Sequence, residues 1–308
     1  MEGMKTVNER FVYQRFVLRA VWFLALLFPV LAAPAAEPPK AKVFAPGVIS
    51  LAERIEFCLA MSLNEQEVFF TVRKAPGQWD IHQSRLRDKA WQASMVAPFS
   101  GVYSDSEPTL SPDGKRLFFS SNRPRQGKTP AQDYDIWVAE RQANGWSAPW
   151  RIPEPVNGPG PQWRASQSLA GTLYYSSPGL WRMAFDGDSP LPPVKLFDPQ
   201  SPGPLVGGHA FVAPDESYLL TAWMDGPGGR GGFDIYVSFR DQQGNWGPSI
   251  NLGDGVNTAA EEDFPSVSPR GRDLFFFRYQ KGEDGESGDI YRIDARILNA
   301  LKSKPGSR

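Results

Sequence analysis

The sequence predicts an all-β fold, a five-bladed β-propeller of four-stranded antiparallel blades whose last blade is closed by the N-terminal strand. Three observations carry this prediction. A short turn motif followed by an aromatic run recurs five times along the chain. The 308 residues include 29 Gly, 29 Pro, 10 Trp and 20 Phe, a composition that indicates many short apolar strands separated by turns. The last unit also lacks an outer strand, which the start of the chain can supply.

The first element is a predicted signal peptide, a short N-terminal helix covering residues 1–36. Basic residues precede the 14-residue apolar run AVWFLALLFPVLAA, and Ala33 and Ala35 fit an A-x-A cleavage site. The apolar run is short for a membrane span, which needs about 20 residues. An uncleaved anchor is the alternative, and either way the remainder is exported, to the periplasm or an equivalent space. If the segment is not cleaved, we expect the protein to contact the membrane only through it. Residues 37–41 are predicted to form a short linker.

The five repeats are aligned on the small residue that opens each turn. The intervals between these residues are 49, 57, 45 and 55, a period that suits one propeller blade of four short strands. The five turn sequences are SLNEQEVFFT from Ser62, SPDGKRLFFS from Ser111, SLAGTLYYS from Ser168, APDESYLLT from Ala213 and SPRGRDLFFF from Ser268.

Each unit repeats the same order of strands. A short run before the turn forms the first strand, the turn is a tight hairpin, and the aromatic run forms the second strand. A third strand carries Asp-Ile-aromatic, at Asp135, Asp234 and Asp289, and an outer strand opens with Trp at Trp91, Trp146 and Trp246. Because these Asp and Trp residues recur, we expect them to be architectural. The third unit departs most, since it lacks both that Asp and that Trp.

The last unit ends after its third strand, DIYRIDAR, and continues into a helix-like segment. The N-terminal run KVFAPGVIS matches the outer strand that this unit lacks. We therefore expect the N-terminal strand to pair with the strand at Asp289, which removes two open sheet edges. The predicted propeller covers residues 42–302, and residues 303–308 form a C-terminal tail.

The repeats resemble those of the TolB-like β-propeller family, also called WD-like repeats. The resemblance rests on SPDG, LFFSSNRP, the DIW and DIY strands and WSAP, and extends over nearly all of the exported chain. More narrowly, the chain is similar to bacterial exported members of that family that are mostly uncharacterised. The resemblance implies the fold but not an activity, because members range from periplasmic scaffolds to propellers fused to peptidases.

Composition excludes several function classes. The formal net charge is −1 with both signs interspersed, so no basic surface for nucleic acid is expected. The chain has two histidines and one cysteine, too few for a His-rich zinc site or a disulfide within the chain. We expect no metal, no cofactor and a monomer.

We expect the binding residues to lie where the first strand of each blade enters the central channel, since that face is the default ligand surface of a propeller. Residues that differ among blades at one position are expected to set specificity, which singles out Glu107, Arg164, His209 and Asp263. Arg123 and Arg278 join them from neighbouring loops. The wider set at the mouth also holds Glu56, Glu261 and Glu262 on the first strands, with Arg73, Asn122 and Asp225 in the loops.

These residues support several functions. The first is a noncatalytic binding or scaffold module for an envelope protein, a peptide or a saccharide. The second is a glycan-acting hydrolase in which Glu107 and Asp263 form the pair of carboxyl groups that such enzymes require. A third is a purely structural subunit of an envelope complex. Against a catalytic role, the carboxylates are expected to pair with nearby arginines and hold the loops.

Overall fold

The structure is a computed structural model that describes residues 39–125, 133–187, 189–197, 208–282 and 285–303. The predicted signal peptide lies outside the described residues, as does nearly all of the C-terminal tail. The first ordered strand, β1, is short and spans Lys42–Val43. Five antiparallel sheets then follow in chain order, each built outward from its first strand.

Blades 1 and 2 have the same construction, with an outermost strand broken into two short pieces that both pair with the third strand. Blade 1 consists of β2 (Glu56–Met61), β3 (Glu67–Ala75), β4 (Gln78–Arg87), β5 (Ala90–Trp91) and β6 (Met95–Val96). Blade 2 consists of β7 (Asp105–Leu110), β8 (Arg116–Ser121), β9 (Asp135–Gln142), β10 (Gly145–Trp146) and β11 (Trp150–Arg151).

Blades 3 and 4 are four-stranded, and blade 3 carries an additional outer hairpin. Blade 3 consists of β12 (Trp163–Gln167), β13 (Leu173–Ser176), β14 (Leu180–Met183), the hairpin β15 (Phe185–Asp186) and β16 (Ser189–Pro190), and β17 (Val194–Phe197). Blade 4 consists of β18 (Gly208–Val212), β19 (Tyr218–Met224), β20 (Phe233–Phe239) and β21 (Ile250–Asn251).

Blade 5 joins the two ends of the propeller. It consists of β22 (Glu261–Val267), β23 (Asp273–Gly282), β24 (Gly285–Asp294) and, outermost, β1. Lys42 lies opposite Arg292 and Val43 opposite Tyr291, and the Phe44 amide donates to the Ile290 carbonyl at 2.7 Å. The predicted closure by the N-terminal strand is therefore confirmed. A short helix, α1 (Arg296–Lys302), follows β24.

The first strands form a closed ring at the centre. They contact one another in the order β2, β7, β12, β18, β22 and back to β2, so the five sheets are arranged radially. The predicted all-β propeller of five four-stranded blades is thus confirmed. In the part of the chain that the structure describes, no helix is long and apolar enough to span a membrane.

Apolar side chains fill the spaces between adjacent blades. Phe69 of blade 1 packs in one cluster with Phe119 of blade 2, and both are fully buried. Trp146 of blade 2 meets the Phe69 ring edge-on at a centroid distance of 5.6 Å, and Trp246 of blade 4 meets Tyr174 of blade 3 at 6.4 Å. The repeated outer tryptophans therefore cover the seams between blades, which explains why they recur.

The repeated turn is held by its own side chains. The Ser111 hydroxyl donates to Asp113 Oδ1 at 2.6 Å and accepts the Arg116 amide at 2.9 Å. In blade 1, Ser62 and Asn64 make the same contact at 2.8 Å. Such short side chains satisfy the backbone of a tight hairpin, so the recurrence of this motif has a local physical cause.

Candidate binding site at the channel mouth

Each first strand carries a β-bulge at the same place. The first residue of each bulge has a left-handed backbone conformation, with a positive φ angle. The φ angles at these five positions are 55° for Cys58, 57° for Glu107, 42° for Arg164, 44° for His209 and 50° for Phe264. Each bulge interrupts the pairing with the second strand of its blade. A bulge re-aims a side chain, and five of them in register form a ring of side chains around the channel.

The common position of the bulge shows which residues are equivalent. Phe264, not Asp263, is the fifth-blade counterpart of Glu107, and in blade 1 the counterpart is Cys58, not Glu56. Asp263 instead stands one place earlier, equivalent to Ser106. The expectation that Asp263 shares the position of Glu107, Arg164 and His209 is therefore wrong, since Phe264 precedes Ser268 by the same number of residues as Glu107 precedes Ser111.

Arg164 lies inside the channel and is only 1 % exposed. Its guanidinium donates to the Cys58 sulfur and to the Pro265 carbonyl, while its Nε has no hydrogen-bond partner among the described residues. Burial raises the pKa of the Cys58 thiol to about 12, even with this cation beside it. Cys58 is therefore an unreactive thiol, as its sequence context predicts.

His209 and Asp263 form a pair across the boundary between blades 4 and 5. Nδ1 of His209 lies 2.8 Å from Oδ2 and 3.1 Å from Oδ1 of Asp263. The imidazole also stacks on the Phe264 ring at a centroid distance of 4.5 Å. Burial disfavours the imidazolium, but the charge and hydrogen bond of Asp263 outweigh it and raise the pKa of His209 above 6.5.

Glu107 forms part of the floor of the mouth and is 5 % exposed. Its amide donates to Thr71 Oγ1 at 2.9 Å, and Ser120 Oγ donates to its Oε2 at 3.2 Å. Burial raises the pKa of Glu107, although His209 and Arg164 lower it through their positive charges. The carboxyl group is thus positioned by neighbouring blades and is costly to ionise.

Above this floor the mouth opens into a pocket of about 460 Å³. Six aromatic rings form most of its wall, and they come from blades 1, 3 and 5. The pocket is lined by Ile55, Phe57, Arg73, Gly77, Trp79, Ser106, Glu107, Trp163, His209, Phe264, Phe277, Tyr279 and Glu286. The position and lining fit a small-ligand site, since such sites are concave and mostly apolar with a few fixed polar groups.

The aromatic wall is a continuous arc of rings. Tyr134 stacks on Trp163 at a centroid distance of 4.2 Å, and it also contacts Trp79, in a tilted arrangement, at 5.8 Å. Phe57 then meets Trp79 at 6.4 Å and Phe264 at 4.9 Å. Each ring is held by its neighbours, so the arc is a preformed surface.

The sequence contains a pattern of aromatic residues that indicates this arc, and the strand order of the repeats alone does not reveal it. The residue immediately before the repeated Asp is aromatic in three blades, at Trp79, Tyr134 and Phe233. In blade 5 the same position is Gly288, and a Cβ there would lie 2.6 Å from Phe277 Cε2. Phe277 thus occupies the space that the missing side chain leaves.

Ser106 was not predicted and has an unusual environment. It is 1 % exposed, it lines the pocket, and its hydroxyl has no hydrogen-bond partner among the described residues. Most buried hydroxyls are hydrogen-bonded, because an unpaired one is unfavourable. This hydroxyl therefore has an unsatisfied hydrogen-bonding capacity beside the pocket.

Several predicted residues instead hold the loops together. Arg123 binds Asp105 at 2.9 Å, and Arg278 binds Glu262 at 2.7 Å. Arg54 binds Glu56 in the same way at the start of β2. Neither Arg123 nor Arg278 lines the pocket. Both arginines instead pair with carboxylates and hold the loops, which is the alternative to a catalytic role that the sequence suggests.

The remaining predicted loop residues are spread around the mouth. Arg73 lines the pocket and pairs with Glu286 at 2.5 Å, which joins blades 1 and 5 at the rim. Asn122 accepts the Ser104 amide at 2.9 Å, and Glu261 and Asp225 are exposed. Within the described ranges, no group of three His, Cys, Asp or Glu side chains is arranged to hold a metal ion.

Comparison with known proteins supports the fold. No family model and no curated protein matches the chain. A structure described as TolB from Agrobacterium tumefaciens is 15% identical, with 74% of this chain and 71% of that one covered and a TM-score of 0.47. A thermostable family-43 glycoside hydrolase is 13% identical over 80% of this chain and 91% of that one, with a TM-score of 0.51. Another glycoside hydrolase is 7% identical over 83% and 92%, with a TM-score of 0.53.

These likenesses are at the level of fold. The chain is a five-bladed β-propeller, as its sequence predicts. At such low identity, neither the TolB structure nor the hydrolases assign an activity to this chain.

Proposed function

We propose that this protein is an exported propeller that binds a ligand in the channel-mouth pocket and does not transform it. The observation that carries the proposal is the pocket itself, six aromatic rings above a buried floor that includes the unpartnered Ser106 hydroxyl. A preformed apolar wall with a few fixed polar groups favours affinity and orientation of a bound group. Export rests on the N-terminal sequence, which predicts a signal peptide.

The arrangement of carboxylates favours binding over catalysis. A glycosidase needs two carboxyl groups facing each other across the sugar, about 5 to 9.5 Å apart. Asp263, the expected partner of Glu107, is bonded to His209 and does not line the pocket. The other lining carboxylate is Glu286, which pairs with Arg73. Glu107 is thus the one lining carboxylate without a cationic partner within ion-pair distance among the described residues.

A glycan-acting hydrolase is the second candidate, and one observation favours it. Burial raises the pKa of Glu107, which is how a carboxyl group is kept protonated to act as a general acid. Such an enzyme would use Glu107 to protonate a leaving group. Its second carboxyl group would have to be Glu286, released from Arg73.

The experiment compares the wild-type protein with Trp163→Ala, both immobilised and exposed to solubilised envelope material. Binding in the pocket predicts a component that the wild type retains, that the variant releases, and that is recovered chemically unchanged. The hydrolase instead predicts cleaved products that disappear with Glu107→Gln. That result would contradict a noncatalytic function. Equal retention by wild type and Trp163→Ala would contradict binding in this pocket.

A further inference from the structure

We infer that the ligand of the channel-mouth pocket is a saccharide, bound through an uncharged pyranose ring. This inference rests on the proposed function and names its ligand class. It follows from three features of the pocket, which are the faces of its rings, the polar atoms of its floor and its balance of charge.

The first feature is the aromatic wall. A pyranose presents C–H groups on its flat faces, and these pack against an aromatic ring as other apolar groups do. Trp163 is backed by Tyr134 at a centroid distance of 4.2 Å, and the Tyr134 hydroxyl is itself fixed by a 2.9 Å bond to Ser104 Oγ. The indole of Trp163 is thus held as a platform before any ligand arrives.

The second feature is the floor, where polar atoms converge beneath the rings. Ser106 offers a hydroxyl that both donates and accepts, and Glu107 offers a carboxyl group on the adjacent residue. His209 adds an imidazole whose Nδ1 is engaged by Asp263, which leaves Nε2 for another partner. A ring hydroxyl both donates and accepts a hydrogen bond, so it can satisfy such a set of groups.

The third feature is charge. Arg73 and Glu286 neutralise each other at the rim with an ion pair of 2.5 Å, and Asp263 does the same for a protonated His209. Glu107 remains, and burial raises its pKa and so favours the uncharged carboxyl group, with the charges of His209 and Arg164 acting against this. A cationic or anionic ligand would therefore find no uncompensated opposite charge at the described lining, whereas a neutral polyol needs none.

The size of the pocket agrees with this class. About 460 Å³ lies within the range of about 300 to 1,000 Å³ that small-ligand sites occupy. The pocket is also open to solvent, which suits the end of a chain that continues outward.

The test is calorimetric titration of the exported chain. The probes are methyl glycosides of glucose, galactose, mannose and N-acetylglucosamine with their disaccharides, an alkyltrimethylammonium salt and a proline-rich peptide, each at up to about 10 mM, which detects weak binding. The variants are Trp163→Ala and Ser106→Ala. The matched controls are Trp150→Ala on β11 and Ser189→Ala on β16, both exposed and away from the mouth. Trp163→Phe keeps a ring if the alanine variant does not fold.

We expect at least one glycoside to bind, and Trp163→Ala to weaken it about tenfold or more. Ser106→Ala should weaken it by about threefold to tenfold, and both controls should stay within about twofold. Binding of the ammonium salt or the peptide alone, lost in Trp163→Ala, would overturn the saccharide class and leave the proposed function standing. Binding of no probe, or glycoside binding that neither pocket variant changes, would overturn both.

Discussion

Asp263 of blade 5 holds His209 of blade 4 through a 2.8 Å contact between Oδ2 and Nδ1. Because the two residues come from different blades, this bond joins neighbouring blades directly at the channel. It also orients the imidazole beside Glu107, and each of the two groups affects the pKa of the other. The pair therefore couples the contact between blades 4 and 5 to the protonation of the groups at the channel mouth.

The first prediction concerns the pH dependence of this pair. Because Asp263 raises the pKa of His209 above 6.5, the protonated pair stabilises the fold below that pH, and its contribution is lost as pH rises through the folded-state pKa. Asp263→Asn should lower the pKa of His209 and flatten the stability profile as pH rises above 6.5. Imidazole titration by NMR and urea denaturation measure the two effects. An unchanged His209 pKa would contradict the pairing.

The second prediction concerns Glu56, which is fully buried beside Arg54 at the start of β2. Burial raises its pKa from 4.5 to about 7, so its contribution to stability is fully present below pH 4.5 and is lost as pH rises to about 7. The free energy of unfolding of Glu56→Gln should therefore rise relative to wild type across this window, by an amount on the order of 3 kcal/mol. Urea denaturation at several pH values measures the difference. A difference in the free energy of unfolding that does not change with pH would show that burial does not raise the pKa of Glu56.

The third prediction concerns closure of the ring. Phe44 follows β1, is 4 % exposed, and meets the Phe275 ring at a centroid distance of 5.1 Å. Phe44→Ala should lower the free energy of unfolding by about 3 to 5 kcal/mol, the usual cost of deleting a buried aromatic side chain. The control is Phe185→Ala in the outer hairpin of blade 3, where the side chain is 40% exposed. Equal losses in the two variants would contradict closure by the N-terminal strand.

The fourth prediction concerns Gly288, which makes room for Phe277. A Cβ at position 288 would lie 2.6 Å from Phe277 Cε2 and 3.1 Å from Ile55 Cγ2, so Gly288→Ala must displace the ring that lines the pocket. We expect weaker ligand binding together with a loss of stability of about 1 to 3 kcal/mol. Gly158→Ala is the control, since its Cβ would meet nothing within 4 Å. Binding that survives unchanged would place the ligand away from Phe277.

The sequence was sufficient to predict the blades because their signals are local. The Ser111 to Asp113 contact recurs in blade 1 as the contact of Ser62 with Asn64. The outer tryptophans recur because they pack at interfaces between adjacent blades. Closure was predictable as well, since the last unit lacked a strand and Val43 begins a segment of the right pattern. Each of these features repeats, and repetition makes a weak local signal readable.

The site was harder to predict because it depends on what differs between blades. In blade 5 the place equivalent to Glu107 is taken by Phe264, and Asp263 stands one residue earlier. Ser106 gave no signal, since a serine in a strand is ordinary until its burial and lack of a partner are known. The aromatic arc joins rings from four blades, a relation that no single repeat contains.

The most direct measurement is a crystal structure of the propeller with the tightest-binding methyl glycoside. The account predicts a pyranose face stacked on Trp163, with a ring hydroxyl within hydrogen-bond distance of Ser106 Oγ. A glycoside bound at the opposite end of the channel, or on the outer strands with the aromatic pocket empty, would contradict it.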